Sequence, residues 1–560
     1  MRSDFYNPNL TFGSIPTTCY RNERPAFFHS GEKPKDTDDR LEAFLRGMVK
    51  TVKNDKFTFI YDGKPITAHP KWIRDHIHEL KAFKHWGSDL KAYVELMCKL
   101  QREDGQFYEM VQLPTNYHWN VVNDTNRIKD EKNGLVFVRV ELEADIEYLM
   151  VEAVWQIYQV TGDIEWVKKV LPALEKGINY MTSDPRRFDK EHGLCIRPFT
   201  IDTWDFVYDL STPRPKDVRN ICPGVTPMSI MHGDNSGIFA AMKKLSAING
   251  IIGNSSAAND WGNRAEKIRE NLNKYCWNGN FYTHQVHINH QLTPKEDEEN
   301  RLSFSNTYDI NRKVTTAEQA SKIISEYIKR RETSGCFAEW FTVNPPYEHF
   351  RGGYDANNYV NGCIASLAAG ELALAAFNNG FEAYGWDIIS RLIDLFEKDG
   401  ELFFLYDMYN GKNKGGGPSG WGAAAIIAAV DEGLAGFVDT GVQFDTMRFQ
   451  PRWRITDREY GKYITGYESS GIFAESSYKY YEDADCYRLA VPSNKINCHI
   501  LLKQNCNVKQ IVCNGKSIEF ATESLNGPMY ANFVLTKKDG IEIENSGGQF
   551  EYYFEIVYAE

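Results

Sequence analysis

Apolar residues recur at intervals of three and four through most of the chain between positions 38 and 437. This spacing places them along one side of an α-helix. Residues 144–158 show it best, with one broad apolar stripe made of Ile146, Leu149, Met150, Ala153, Val154 and Ile157. The pattern predicts helices near 38–53, 72–84, 86–102, 141–161, 163–183, 227–251, 257–276, 316–331, 357–379, 381–398 and 418–437.

Turn signals between neighbouring segments predict that the helices form hairpins. Gly162 is suited to end one helix and Asp163 to cap the next, and Gly380 has a similar place before Phe381. Eleven or twelve helices in pairs indicate six hairpins closed into a ring, an (α/α)6 toroid. An open solenoid would show a fixed sequence period, and this sequence has none.

The pattern changes after about residue 440 to shorter, alternating segments. Those that begin at Tyr487, Cys498, Val508 and Tyr552 are rich in β-branched and aromatic residues, with Asn-Gly and Asp-Gly turns nearby. The sequence therefore predicts a mainly α fold in three parts: an irregular arm over 1–37, the catalytic toroid over 38–439, and a small antiparallel β-sandwich over 440–560.

Composition excludes several classes of partner. The net charge is −12 and lysines and arginines form no run, so we expect neither nucleic acid nor an anionic membrane surface as partner. No stretch of 18 residues is continuously apolar, and the first 30 residues lack an apolar signal region. The protein is therefore expected in the cytoplasm, or exported if a leader had been removed. Its oligomeric state is left open.

The long connections between the predicted hairpins hold the residues best suited to chemistry. Long loops without regular structure are usually functional, and these are rich in glycine, proline and aromatic residues. In one of them Asp205 follows Trp204. An indole excludes water from a neighbouring carboxyl and raises its pKa, which suits a general acid. The alternative is a loop-capping aspartate beside a core tryptophan.

Asp407 is the second candidate for catalysis. It ends the apolar run 402–406 and precedes a glycine-rich loop. A carboxylate at such a mouth stays ionised and can orient a water as general base, and the alternative is a turn aspartate. The triple glycine 415–417 lacks the lysine and hydroxyl residue of a phosphate loop. Glycosidases use two carboxyl groups on opposite sides of the scissile bond, which is what Asp205 and Asp407 would supply.

Further residues near predicted helix starts or in the long loops are candidates for substrate binding. Charged groups can bind sugar hydroxyls, and aromatic faces can stack on sugar rings; the alternatives are ion pairs and core packing. The candidates are Trp72, Arg74, Asp75, Trp204, Asp234, Glu339, Trp340, Tyr354, Asp355, Asn358 and Trp421.

Two other groups are expected to be structural. Glu141, Glu143 and Asp145 are predicted at a solvated helix start. His69, His76, His78 and His85 form no His-Glu-x-x-His motif and are predicted on the surface, so we expect no metal and no cofactor.

These motifs resemble those of six-hairpin glycosidases, most closely the trehalases and processing α-glucosidase-like enzymes of glycoside hydrolase families 37 and 63. The segment Thr203-Trp204-Asp205-Phe206 is similar to their acid motif. Asp407-Met408-Tyr409, followed by glycines and Trp421, is similar to the stretch that holds their base. Residues 231–235 resemble their helix-opening segment, and 354–362 their substrate-contacting segment.

Three features depart from that family. Asp407 stands where the family has glutamate, and Trp72-Ile73-Arg74-Asp75 replaces the trehalase segment near the first hairpins. A β-domain after the toroid looks more like α-L-rhamnosidases. The resemblance implies an inverting exo-glycosidase acting on an α-linked oligosaccharide or glycoside without cofactor. The alternatives are a glycoside phosphorylase or polysaccharide lyase on the same toroid, or an inactive carbohydrate-binding protein.

Overall fold

The computed structural model describes residues 40–116, 124–198, 221, 224, 226–289, 296–348, 355–456, 458–543 and 548–559. The predicted arm over 1–37 lies outside these residues. So do three of the candidate site residues, Trp204, Asp205 and Tyr354.

Helices are the main regular structure of the described residues up to position 434. Within the described ranges they are α1 (Arg40–Asn54), α2 (Ile73–Phe83), α3 (Ala92–Lys99), α4 (Ile146–Thr161), α5 (Ile164–Met181), α6 (His232–Ile251), α7 (Ser255–Tyr275), α8 (Ser305–Asn311), α9 (Ala317–Thr333), α10 (Ser366–Asn378), α11 (Glu382–Asp399) and α12 (Gly420–Ala428). A π-helical turn, Ala429–Leu434, continues α12.

The predicted helix ends between α4 and α5 are confirmed. Gly162 follows α4 in the left-handed conformation with φ 66°, and its N–H bonds to the carbonyl of Tyr158. The side chain of Asp163 then accepts a hydrogen bond from the N–H of Trp166, which caps α5. Local sequence therefore explains why the chain reverses here.

Helix α8 was not predicted and lies inside the expected loop 277–315. Its seven residues are mostly polar, yet Ser305, Asn306, Thr307 and Asp309 are all buried. Asn306 exchanges two hydrogen bonds with the backbone of Tyr282, which satisfies its side chain without water. A polar helix held by such bonds lacks the apolar stripe that sequence patterns detect.

The even-numbered helices contact one another in a closed cycle. Helix α2 packs on α4, α4 on α6, α6 on α8, α8 on α10, α10 on α12, and α12 on α2. First turns meet first turns, as where Arg74 of α2 contacts Asp145 before α4. C-terminal ends also meet C-terminal ends, as where Lys84 after α2 contacts Glu432 after α12. The six inner helices therefore run in the same direction, while each odd-numbered helix packs against one or more of them.

Short strands occupy the connections that lead into the inner helices. They are β1 (Phe57–Tyr61), β2 (Lys64–Ala68), β3 (Met110–Gln112), β4 (Arg127–Asp130), β5 (Leu135–Val138), β6 (Phe188–Asp189), β7 (Leu194–Cys195), β8 (Arg197–Pro198), β9 (Met228–Met231), β10 (Gln285–His287), β11 (Leu302–Ser303), β12 (Val343–Asn344), β13 (Ile364–Ala365), β14 (Phe403–Tyr406) and β15 (Asn413–Pro418). Their small sheets hold the long connections over one end of the helix cycle.

The chain after residue 436 is built of strands: β16 (Phe437–Asp439), β17 (Thr446–Phe449), β18 (Tyr460–Tyr467), β19 (Ile472–Tyr480), β20 (Ala484–Val491), β21 (Lys495–Leu501), β22 (Val508–Cys513), β23 (Lys516–Ile518), β24 (Ala521–Ser524), β25 (Met529–Thr536), β26 (Ile541–Glu542) and β27 (Phe550–Tyr558). One sheet has the order β16-β17-β21-β25-β24, and the other β18-β19-β20-β27-β22-β23 with β26 beside β27.

These two sheets share an aromatic core. Phe449 and Phe533 of the first sheet meet Phe554 of the second, with ring centroids 6.4 and 5.4 Å apart. Pairing is antiparallel except between β17 and β21, which run parallel because the long β18–β20 excursion separates them in the chain. The predicted all-antiparallel arrangement is wrong at this pair.

The predicted surface position of the histidines is wrong. His76, His78 and His85 are buried rather than on the surface, because they lie on the packed side of α2 and its C-terminal turn. Burial lowers the pKa of each of these imidazoles.

Over the described residues, none of the helices combines the length and apolarity needed to span a membrane.

Candidate active site

The first turns of the six inner helices and the strands before them form one end of the cycle, here called the N-terminal face. Most candidate site residues among those described lie on it: those at 72–75 before and in α2, Asp234 in α6, Asp407 after β14, and Trp421 in α12. The sequence places them at predicted helix starts and in long loops at three distant points of the chain, and the helix cycle brings them to one end.

Arg74 belongs to a buried ion-pair cluster on this face. Its Nη2 donates to Oδ1 of Asp145 at 2.9 Å and its Nε donates to Oδ2 of the same carboxylate, while Glu143 also contacts the guanidinium. All three side chains are buried. The prediction that Glu141, Glu143 and Asp145 stand at a solvated helix start is wrong, because the connection before α4 packs against α2 and all three side chains are buried. Arg74 matches the ion-pair alternative.

Asp234 occupies the first turn of α6, where the helix dipole favours its charged form. Both of its carboxylate oxygens face Nη1 of Arg197, at 3.4 and 3.5 Å, and both residues are buried. Arg197 lies in β8, directly before the undescribed segment that contains Asp205. The pair therefore fixes one end of that segment to the start of α6.

A buried Ser-His-Asp arrangement stands beside it and could not be predicted from sequence. His232 places Nδ1 2.6 Å from Oδ2 of Asp309 and Nε2 2.9 Å from Oγ of Ser303. The geometry is similar to a nucleophilic triad. Ser303 is fully buried, however, so no substrate carbonyl can reach it, and the three groups join α6 to α8 instead.

Asp407 stands in the turn that joins β14 to β15. Its Oδ1 accepts hydrogen bonds from the backbone N–H groups of Tyr409 and Asn410 at 3.0 and 3.1 Å, and its Oδ2 accepts one from Nδ2 of Asn357 at 2.8 Å. The ammonium of Lys414 lies 3.5 Å from Oδ2. Burial alone would raise the pKa of this carboxyl, but the hydrogen bonds and the ammonium lower it overall. Asp407 is therefore ionised at neutral pH.

The segment next to Asp407 is held in an unusual backbone conformation. Asn357 has φ 64° and Tyr359 has φ 49°, which costs about 1–3 kcal/mol for each non-glycine residue. Asn357 compensates by bonding Asp407 through Nδ2 and accepting the N–H of Met408 through Oδ1 at 2.8 Å. The sequence pattern pointed instead to the neighbours Asp355, which is exposed, and Asn358, which is half-buried.

The predicted aromatic and acidic binding residues differ in access. Trp340 and Trp421 are 1% and 4% exposed, and Nε1 of Trp421 donates to the hydroxyl of Tyr308 at 3.0 Å. Glu339 is fully buried, with Arg391 and the hydroxyl of Tyr384 donating to its two oxygens. These three match the core and ion-pair alternatives.

Trp72 and Asp75 are half-buried and remain within reach of a ligand at the N-terminal face. Trp72 pairs with Met110 of β3 through an isolated bridge, which holds the indole close to the first long connection. Asp75 lies in the first turn of α2. Of the candidates whose positions are described, they keep access together with Asp355, Asn358 and Asp407.

A carboxyl pair at the start of α12, the buried Glu79 and the half-buried Asp55, was also missed. Glu79 contacts Asp55, and Asp55 accepts the N–H of Gly420. Burial is the main cause that raises the pKa of both carboxyls, most strongly that of Glu79. A Cβ on residue 420 would lie 2.2 Å from Oε1 of Glu79, so only glycine allows this approach. Glu79 occupies a core position of α2, where sequence patterns predict apolar residues.

Across the described residues, no group of three or more His, Cys, Asp or Glu side chains is placed to hold a metal ion. The charged groups on the N-terminal face are instead paired with one another. Such a face can bind and orient a neutral polar ligand, and Asp407 can accept a proton there.

Comparison with known proteins adds to this geometry. A family model described as Trehalase matches residues 196–340, the stretch that contains Asp205 and α6. No curated protein matches the sequence. The structure is similar to that of the α-L-rhamnosidase from Dictyoglumus thermophilum, with a TM-score of 0.57, 11% identity, and 95% of this chain and 50% of that chain covered.

Two further solved structures show the same likeness. The α-L-rhamnosidase from Streptomyces avermitilis gives a TM-score of 0.54 at 11% identity, over 97% of this chain and 42% of that one. The GH78 family rhamnosidase of Bacillus sp. GL1 gives 0.53 at 13% identity, over 82% and 40%. This chain thus spans half or less of the length of these three structures. The predicted resemblance to six-hairpin glycosidases is confirmed.

Proposed function

We propose that this protein is an inverting, exo-acting glycoside hydrolase whose helix cycle is an (α/α)6 toroid. The observation that carries the proposal is the trehalase match over residues 196–340, which includes Asp205. The segment that contains Asp205 is preceded by β8, whose Arg197 contacts Asp234 of α6, and is followed by β9, which leads directly into α6 at the N-terminal face. Asp407 stands ionised on the same face, at the end of β14.

In this mechanism the two carboxyl groups have opposite protonation states. Asp205 carries the proton and gives it to the oxygen of the leaving group as the glycosidic bond breaks. Asp407 takes a proton from a water that attacks the anomeric carbon from the opposite side of the ring. Inversion requires the two carboxyls to lie roughly 6.5–9.5 Å apart, because the water must fit between one of them and the sugar.

The surroundings of Asp407 support the charged form that a base needs. They also limit its basicity, because a low pKa weakens proton abstraction. The contact with Lys414 is the longest of the four at 3.5 Å, and the lysine side chain is 35% exposed. Movement of this ammonium would free Oδ2 for a water. We therefore assign Lys414 a position beside the attacking water.

The full set of donors around Asp407 favours one other candidate, a carbohydrate-binding protein without turnover. In that case Asp407 is a turn aspartate, and the N-terminal face binds sugar without cleaving it. The two candidates share the substrate class, a carbohydrate, and differ only in product formation.

The test is a panel of aryl α- and β-glycosides that includes α-L-rhamnosides and α-glucosides, with trehalose as an unactivated substrate. Proton NMR would follow the first product anomer. Inverting hydrolysis predicts release of the anomer opposite to that of the substrate. Release of the same anomer would contradict the mechanism, and binding in calorimetry without product would indicate the second candidate.

A further inference from the structure

The opposite end of the helix cycle, here called the C-terminal face, encloses a cavity of about 580 Å³. All six inner helices contribute to its wall, and residues 437–467 of the β-domain complete it. The volume is that of a small-molecule site. Its aromatic lining includes Trp155 and Phe444, which give apolar surface beside the charged groups.

Charge in this cavity is out of balance. Eight lysines and arginines and six acidic residues line it, although the whole chain has a net charge of −12. Part of the charge is paired locally. Nζ of Lys81 contacts Glu371, and Nζ of Lys244 lies 2.7 Å from Glu152. The excess is concentrated elsewhere in the wall.

Two cations in the wall have no partner among the described residues. Lys313, in the turn between α8 and α9, and Arg448, in β17, form no ion pair, and the buried Nε of Arg448 has no hydrogen-bond acceptor. The nearby carboxylate of Glu432 already accepts from Nζ of Lys84 at 3.3 Å. One carboxylate therefore faces three cations from three different elements.

These groups shift each other's pKa values. Lys313 is exposed at the rim of the cavity, yet desolvation by the surrounding protein lowers its pKa, and Arg448 and Lys244 lower it further. Burial also lowers the pKa of Arg448, and Arg452 adds to the effect. Glu432 opposes both shifts. One carboxylate does not balance three cations, so the remaining positive charges repel each other and a bound anion would relieve the repulsion.

Other acids in the wall do not supply the missing charge. Asp431 is buried, and its pKa is raised to about 7, chiefly by that burial. Asp439 is similar, with a pKa of about 6, and its carboxylate accepts bonds from the N–H groups of Gly441 and Phe444 and the hydroxyl of Tyr467. Both carboxyls are less charged than exposed aspartates at neutral pH.

We propose that this cavity binds a small molecule carrying a phosphate or sulfate group, held between Lys313 and Arg448. Arginine offers two parallel N–H donors that match the geometry of such an oxyanion, and lysine adds a point charge. The site lies at the opposite end from Asp407, so a phosphate bound here is not the nucleophile of a phosphorolysis. It is an effector or cargo site, independent of the proposed hydrolysis.

Calorimetric titration with inorganic phosphate, at constant ionic strength set with sodium chloride, tests the site directly. We expect saturable binding to the full-length protein. The Lys313→Gly and Arg448→Gln variants should each weaken it by about tenfold, since each removes one charged donor. Lys322→Gln is the matched control, because Lys322 is an exposed lysine on α9 that pairs with Glu318. It should bind phosphate as the parent does.

Further arms separate the sources of the oxyanion. Sulfate should compete with phosphate, and glucose 6-phosphate should bind more tightly than inorganic phosphate if the aromatic lining contacts a sugar. Equal binding of the two would limit the ligand to the free ion, and glucose alone should not bind here. If Arg448→Gln fails to fold, Lys313→Gly decides alone.

The proposal is overturned if phosphate and sulfate give no saturable heat, or if both variants bind as the parent does. It is also overturned if Asp407→Asn abolishes the binding, because that would place the anion at the N-terminal face.

Discussion

Buried arginines are paired with carboxylates at one end of the helix cycle, whereas two cations at the other end form no ion pair among the described residues. At the N-terminal face, arginines such as Arg74 and Arg197 are buried against carboxylates that accept their hydrogen bonds. At the C-terminal face, Lys313 and Arg448 line a cavity without a partner among the described residues. Helix dipoles favour acids at the first end and cations at the second. The first end is a fixed scaffold, and the second has charge left over for a ligand.

The largest effects should follow from the two proposed catalytic carboxyls. Asp205→Asn and Asp407→Asn should each reduce turnover by about 10²–10⁴-fold, because each removes one proton-transfer group. Steady-state rates on the best aryl glycoside measure this, and circular dichroism confirms the fold. Asp260→Asn, at an exposed position on α7, is the control. Full activity in Asp205→Asn would contradict the mechanism, whereas a loss in that variant alone would leave Asp407 as a turn residue.

The paired charges of the N-terminal face give the next largest effect. Arg74→Met should lower the free energy of unfolding by about 3–5 kcal/mol, because Glu143 and Asp145 would stay buried without a cation. Arg40 also bonds two carboxylates, Asp394 and Glu397, but at the surface with 53% of its side chain exposed. Arg40→Met should therefore cost less than about 1 kcal/mol.

Urea unfolding measures both variants under the same conditions. Equal losses would show that burial does not distinguish the two clusters, and the contrast between a fixed interior and a solvated surface would fail. A small loss in Arg74→Met would show that water reaches Glu143 and Asp145 when the arginine is absent.

The two ends should also respond to pH with opposite signs. Burial raises the pKa of Asp431, at the C-terminal face, to about 7, so its contribution to stability is complete below the unfolded pKa and is lost as pH rises through 7. Asp407, whose pKa is lowered, contributes stability at neutral pH that is lost as pH falls. From pH 5 to 8 the free energy of unfolding of the parent should fall by about 2–3 kcal/mol more than that of Asp431→Asn.

Unfolding free energies of parent and Asp431→Asn at the two pH values test this sign. A parallel pH dependence in the two proteins would contradict it, whatever the variant's absolute stability. Asp431→Asn removes the ionisable group and keeps a side chain of nearly the same shape, so the slope reports on charge.

The helical part of the fold followed from local signals. The stripe from Ile146 to Ile157 and the cap formed by Gly162 and Asp163 are properties of consecutive residues, so the sequence contains them in full. Helix α8 could not be predicted from its own sequence because buried hydrogen bonds with residues outside the helix, such as that from Tyr282 to Asn306, stabilise it. The parallel pairing of β17 with β21 could not be predicted either, because strand order is set by packing between distant segments.

The site was less predictable than the fold. Aspartate beside tryptophan or glycine is a local signal, and it pointed to Asp205 and Asp407. Whether a ligand can reach a side chain depends on the packing of distant segments and not on its neighbours in the sequence. Trp340 and Trp421 have the sequence context of sugar platforms, yet the ring of helices buries both. Asn357 donates a hydrogen bond to Asp407, 50 residues away, and Glu79 contacts Asp55, which lies outside its own helix. No pattern in one sequence shows such contacts.

The smallest effect compares one backbone conformation at the two ends. Lys313 at the C-terminal face and Asn357 at the N-terminal face both have positive φ, 61° and 64°. Glycine adopts this conformation without strain, so Lys313→Gly should raise the free energy of unfolding by roughly 0.5–1 kcal/mol and also relieve the repulsion with Arg448. Asn357→Gly should relieve the same strain but lose the bonds to Asp407 and Met408, and so lower both stability and turnover.

Urea midpoints with and without phosphate complete this comparison. A ligand that binds only the folded state stabilises it. Phosphate should therefore raise the midpoint of the parent by more than that of Lys313→Gly, so the gain from glycine shrinks or reverses as phosphate is added. An equal shift in the two proteins would mean that the strained lysine does not hold the anion. The unpaired charge at this end would then be a cost without a ligand to offset it.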